Sequence, residues 1–207
     1  MTVTTIPTAG IADDAVGNTK LDLTENYAFT GTITGTPQTL VKTGSLVSTS
    51  DAGSYSLDSC FSATYLNYFV TFKYAIATDG NKCYLRFRTG GSTNSVSKYQ
   101  GYIRYGDNAG NTGAAINSYD DHAQIANDLE ATDTKAIQGF MYIFSPFSTT
   151  YLTNATLHYN AITQAGNRRM YFGGIQFDDT TSFDGFQLTQ NTGNGSLVDL
   201  QCWGIKE

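Results

Sequence analysis

The chain is poor in the residues that most often carry chemistry. It holds two histidines, His122 and His158, and three cysteines, Cys60, Cys83 and Cys202. No C-x-x-C pair occurs, so the spacings used by zinc and redox sites are missing. Residues 1–10 have neither a basic start nor an apolar run, so no secretion signal is expected. Three widely spaced cysteines without such a signal read as small buried hydrophobes of a protein folded in a reducing cytosol, with no intrachain disulfide. Charge is scarce too. Twelve Lys and Arg against eighteen Asp and Glu leave a net −6, which repels phosphate backbones and argues against a nucleic-acid partner. Long apolar runs are absent. The most apolar stretches, 66–77 and 137–144, are too short to span a bilayer, and Asn67, Thr71 and Lys73 interrupt the first, so no membrane insertion is expected.

These shortages also weigh against catalysis. His158 shares the polar parity of its segment with Asn154, Thr156 and Asn160, and His122 sits in the polar stretch 120–133. Neither is accompanied by a serine or cysteine nucleophile motif, and the paired carboxylates of a glycosidase are not recognisable. Asp120, Asp121, Asp128, Glu130 and Asp133 match no calcium-loop spacing and read as a solvated acidic segment. The glycines of 106–113 are not followed by G-K-[ST], so they read as turns and not as a phosphate cradle. A non-enzymatic protein without metal or cofactor is the expectation.

Aromatic residues and short alternating runs are plentiful. Tyr68, Val70, Phe72, Tyr74 and Ile76 recur with period two, and Cys83, Leu85 and Phe87 do so again after the turn Asp79-Gly80-Asn81. These two segments are expected to pair as a hairpin. Further strands are expected over 27–33, 39–48, 55–61, 98–105, 135–144, 151–162, 169–177, 183–189 and 197–205, most of them bounded by Gly, Asn, Asp or Ser. Only 120–133 looks helical, because Ile125 and Leu129 stand four apart. Asp178-Asp179 are placed to pair with Arg168-Arg169 across a hairpin. The segment 135–144 is apolar on both parities, with Ile137, Met141 and Ile143 against Phe140, Tyr142 and Phe144, as expected of a strand covered on both faces. One face would meet the core and the other a neighbouring subunit. Fourteen tyrosines exceed what a small core is expected to enclose. Tyr99, Tyr102, Tyr105 and Tyr119, beside Gly- and Asn-rich loops, are candidate glycan contacts as well as candidates for core or interface packing.

Residues 1–26 differ from the rest. They lack aromatics and carry Ile6, Ile11, Val16 and Leu21 at a spacing of five, which gives a single stripe on neither a helix nor a strand. An extended arm docking on another chain accounts for them, and so does an unstructured terminus with incidental apolar residues.

The stretch Gly10-Ile11-Ala12-Asp13-Asp14-Ala15-Val16-Gly17-Asn18-Thr19-Lys20-Leu21 resembles the shaft segments of bacteriophage fibre proteins. It is followed by Leu23-Thr24-Glu25-Asn26-Tyr27-Ala28-Phe29-Thr30-Gly31-Thr32, like a segment entering a first strand. The end, from Asp184-Gly185-Phe186-Gln187-Leu188 to Trp203-Gly204-Ile205-Lys206, is similar to the last hairpin of jelly-roll domains on phage fibres and capsid decorations. Fibres repeat the shaft motif several times, whereas here it occurs once, which favours a compact particle-surface protein. The resemblance implies an all-β, antiparallel jelly-roll-like β-sandwich (residues 27–207) behind an extended N-terminal attachment arm (residues 1–26). It further implies a homotrimeric capsid decoration or cement protein that folds in the host cytoplasm and is displayed on the virion surface. Its partners would be itself and major capsid or tail proteins. The alternative is a tail or head fibre module that recognises host-surface glycans.

Overall fold

A computed structural model describes residues 38–46, 54–76, 78–131, 135–191 and 195–205. The chain divides into two units, Met1–Gly35 and Thr36–Glu207, and all of the described residues lie in the second. The arm residues Ile6, Ile11, Val16 and Leu21, and the strand expected over 27–33, lie outside the described residues.

Among the described residues thirteen strands follow one another: β1 (Gln38–Leu46), β2 (Ser54–Leu57), β3 (Asn67–Ile76), β4 (Asn81–Thr89), β5 (Ser92–Thr93), β6 (Tyr99–Asp107), β7 (Thr112–Asp120), β8 (Ala123–Leu129), β9 (Ile137–Phe144), β10 (Thr153–Ile162), β11 (Arg168–Phe177), β12 (Gly185–Gln190) and β13 (Gly195–Ile205). The protein is all-β, and its strands pair antiparallel in two sheets. The large sheet runs β1-β13-β3-β9-β10-β11-β6-β7; the small one runs β2-β12-β4, with β5 and β8 both pairing on the free side of β4.

Eight strands carry jelly-roll wiring. β1 pairs with β13, β2 with β12, β3 with β9 and β4 with β8, as though one long hairpin had been wound upon itself. The β13–β3 and β12–β4 pairings then complete the two sheets. Two further hairpins are inserted into this plan. β6–β7 lies between β4 and β8 in sequence, and β10–β11 between β9 and β12. They meet at β11–β6, in register from Arg169 opposite Asp107 to Phe177 opposite Tyr99, and so widen the large sheet beyond β9.

Alternation decides which side chains form the core. On β3, Tyr68, Val70, Phe72, Tyr74 and Ile76 are buried, and on β4, Cys83, Leu85 and Phe87 are. These two strands do not form the expected hairpin, because β3 pairs with β13 and β9 while β4 pairs with β12, β5 and β8. The Asp79-Gly80-Asn81 turn instead carries the chain from one sheet to the other, with Gly80 at a φ of 75° that suits a residue without Cβ. Both apolar faces are buried this way, facing each other across the core.

The core is built largely of rings. Tyr68, Tyr74, Tyr99, Tyr159 and Tyr171 are all buried to within 2% of completely, so the core encloses more tyrosine than composition suggested. Phe87 of the small sheet stacks on Tyr99 of the large one at 6.1 Å. The Tyr99 hydroxyl accepts from the Phe87 N–H at 2.7 Å, and the Tyr68 hydroxyl accepts from the Ser62 N–H and donates to the Ser62 carbonyl. Such bonds let a phenol enter a core without leaving its polar end unsatisfied.

The helix expected within 120–133 is replaced by strands. β7 ends at Asp120 and β8 spans Ala123–Leu129, with Ala123, Ile125, Ala126 and Leu129 buried against the core. A spacing of four fits a strand face as well as a helix face, and pairing with β4 decides between them. The expected pairing of Asp178-Asp179 with Arg168-Arg169 is also corrected. Arg169 points between the sheets, 3.6 Å from Asp107 of β6 and 3.7 Å from Asp128 of β8, with its guanidinium 4.3 Å from the centre of the Tyr105 ring. Cys60, Cys83 and Cys202 are three separate buried thiols.

Candidate functional site

The outward face of the large sheet is unusual for its aromatic content. β9 turns Ile137, Met141 and Ile143 into the core and therefore presents Gln138, Phe140, Tyr142 and Phe144 to the other side. The ladder sets neighbours beside them. Phe140 lies between Thr71 and His158, Tyr142 between Phe69 and Thr156, and Phe144 between Asn67 and Asn154. One strand further, Phe172 stands next to His158, and Tyr102 stands opposite Gly174. Phe140 and Phe144 are each 37% exposed, Tyr102 48% and Phe172 53%.

The rings of β3, β9 and β10 touch one another. Phe69 lies 5.7 Å from Phe140 and 5.0 Å from Tyr142; Phe140 meets the His158 ring edge-on at 5.6 Å; and Tyr142 stacks with Phe144 at 6.4 Å. Isolated exposed apolar residues are ordinary, but a contiguous exposed patch marks a surface that something covers. A shallow trough of about 420 Å³ opens beside it. Tyr102, Phe144 and Gly174 are among the residues that line it, and Gln100, Asn154 and Gln176 supply amides. The Arg104 guanidinium sits 5.8 Å from the centre of the Tyr102 ring. Such a surface can stack on flat apolar groups and exchange hydrogen bonds beside them.

Of the four candidate tyrosines, Tyr102 alone is shown on this face. Tyr99 is fully buried and is corrected to a core residue. Tyr105 is half-buried, packed under Arg169 and 5.4 Å from Tyr171. Tyr119 is on β7, and its side chain lies outside the described ones. Phe172 escaped the sequence reading, although its alternation with buried Tyr171 was available there.

The acidic residues of the β7–β8 region serve cationic partners. Asp121 bonds Arg86 at 2.7 Å and the Nδ1 of His122, whose ring lies 4.0 Å from that of Tyr84. Burial works to raise the Asp121 pKa, but the His122 hydrogen bond and the Arg86 charge outweigh it and hold the carboxyl below its usual value. Glu130 pairs with Lys135, and Asp128 faces Arg169. Asp133 lies outside the described residues. Among the described residues, no three His, Cys, Asp or Glu side chains gather as a metal site would require.

No protein family, curated protein or solved structure matches the chain.

Proposed function

We propose that this chain is a non-enzymatic structural protein of a bacteriophage particle, most simply a homotrimeric decoration or cement protein of the capsid. In this reading residues 1–26 fasten it to a capsid or tail protein through Ile6, Ile11, Val16 and Leu21, and the jelly-roll body associates with copies of itself at the virion surface. The assignment to phage rests on the resemblance of residues 10–32 and 184–206. The association rests on one observation, the contiguous Phe69, Phe140, Tyr142 and Phe144 cluster on the solvent side of the large sheet. Fully burying an aromatic side chain of this kind contributes roughly 1.5–3 kcal/mol, so a few half-exposed rings from each copy can offset a useful part of the cost of association.

Sedimentation of the full chain and of Phe140→Glu tests this. The wild type is expected as a trimer, and the variant as a folded monomer with unchanged circular dichroism. A wild-type monomer, or a variant that remains trimeric, refutes association through this face. Deleting residues 1–25 should leave the trimer intact and abolish binding to particles.

A second reading, host-glycan recognition by a fibre module, is favoured by the trough between Tyr102 and Phe144, where rings stand beside amides. Copy number separates the two readings, since a decoration protein is present in hundreds per particle and a fibre in tens or fewer.

A further inference from the structure

We infer that a second cleft, at the opposite end of β10 and β11 from the trough, is a binding site for a sugar that carries a carboxylate. Its volume of about 520 Å³ falls within the usual range for small-molecule sites. The ladder fixes the relevant side chains. Asn160 lies between Gln138 of β9 and Met170 of β11, and Arg168 lies one outward step beyond Met170, opposite Ile162. Gly106 stands opposite Met170, and a Cβ built on it would meet nothing within 4 Å, so that side of the cleft stays open.

Charge balance singles out Arg168. Of the three cations lining the cleft, Lys135 is paired with Glu130, and Arg169 is held between Asp107 and Asp128 at 3.6 and 3.7 Å. No carboxylate among the described residues pairs with Arg168, although the chain as a whole carries a charge of −6. Its backbone is anchored at the mouth: the Arg168 N–H donates to Asn108 Oδ1 at 2.8 Å, and its carbonyl accepts from the Asn108 N–H at 3.2 Å. A guanidinium so placed offers a two-pronged fork to a carboxylate.

The neighbouring groups favour a sugar over a simple anion. Asn160 and Gln138 are cross-strand neighbours that both line the cleft, with about 5 Å expected between their Cβ atoms, and each amide both donates and accepts, as adjacent sugar hydroxyls require. Met170, 51% exposed, supplies the apolar surface against which a pyranose face can rest. Arg168 lies about 7 Å along β11 from Met170, which separates the carboxylate end from the hydroxyl end by roughly the width of one ring.

The test uses the full chain, with a galacturonic acid trisaccharide and its fully methyl-esterified form as probes in a calorimetric or chemical-shift titration. The acid is expected to bind about tenfold more tightly than the ester, a preference that shrinks as salt is raised. Arg168→Gln, at an exposed position that leaves the core untouched, should erase the difference, whereas Asn160→Ala should weaken both probes. Val96→Ala, at an exposed position that lines neither the cleft nor the trough, should change neither. The inference is overturned if neither probe binds, if both bind equally, or if Tyr102→Ala, in the trough, removes acid binding while Arg168→Gln spares it. None of these outcomes bears on the association of copies through Phe140, which sedimentation tests separately.

Discussion

Gly139 stands directly opposite Tyr159 on the β9–β10 ladder, where any side chain on residue 139 would press into the Tyr159 Cβ and the His158 carbonyl oxygen. The same register puts Phe72 on the other side of Gly139, and the Phe72 and Tyr159 rings pack 5.9 Å apart on its inward side. The glycine thus makes room for two large rings, on strands either side of β9, to meet in the core.

Gly139→Ala should therefore be costly, although the added group is a single methyl. Overpacking of this kind destabilises by roughly 1–3 kcal/mol, and here the obstructing atoms are largely backbone, which cannot rotate away. Urea unfolding of the variant measures it. A loss below about 0.5 kcal/mol would show that β9 and β10 separate easily at this point.

The Asp121 carboxyl, lowered in the folded protein despite the opposing effect of its burial, predicts a pH dependence. A group depressed on folding stabilises fully above its unfolded value, here 3.8, and loses that contribution as the pH falls through the lower folded value. The thermal midpoint should fall as acid is added below about pH 4.5, and Asp121→Asn should show a shallower fall over the same window. Identical profiles for the two proteins would mean that the Arg86 and His122 contacts are not maintained in solution.

Thiol chemistry offers a third check. Cys60, Cys83 and Cys202 are buried, Cys60 donates to the Leu57 carbonyl at 3.3 Å, and burial pushes the Cys83 thiol well above its ordinary pKa. A thiolate reagent should find almost no target in the native protein and three equivalents after denaturation. Rapid labelling under native conditions would contradict the packing around β3, β4 and β13.

Trp203 is the only tryptophan and lies half-buried on β13 opposite Phe69, at the edge of the aromatic cluster. If copies associate through this face, acrylamide quenching of its fluorescence should fall as protein concentration rises. In Phe140→Glu the quenching should be independent of concentration. A wild type equally quenched at every concentration would place the contact elsewhere.

Much of the inside-outside pattern was legible from alternation alone. The buried faces of β3 and β4 could be read residue by residue, and the two apolar parities of β9 pointed to the outward-facing rings of Phe140, Tyr142 and Phe144. Sheet membership could not be read, because an apolar face is buried equally well beside its neighbour in one sheet or opposite it in two. The turn at Gly80 is compatible with both. The 120–133 region misled because Ile125 and Leu129 satisfy both regular periods, and only the partner strand β4, some forty residues away, selects one. The clefts were illegible for a related reason. Gln138, Asn160 and Arg168 become neighbours through ladder register, which local sequence does not encode.

The two inserted hairpins depend on each other unequally. β10–β11 rests on β9, whereas β6–β7 joins the large sheet through β11 alone. Without β6–β7 the sheet would end at β11; without β10–β11, β6 would lose the strand it pairs with and β9 would become a bare edge. The large sheet therefore has a built-in order of dependence: the β11–β6 ladder is the only strand pairing that ties β6–β7 to it among the described residues, so weakening that ladder should release both strands together while β9–β10–β11 stays paired.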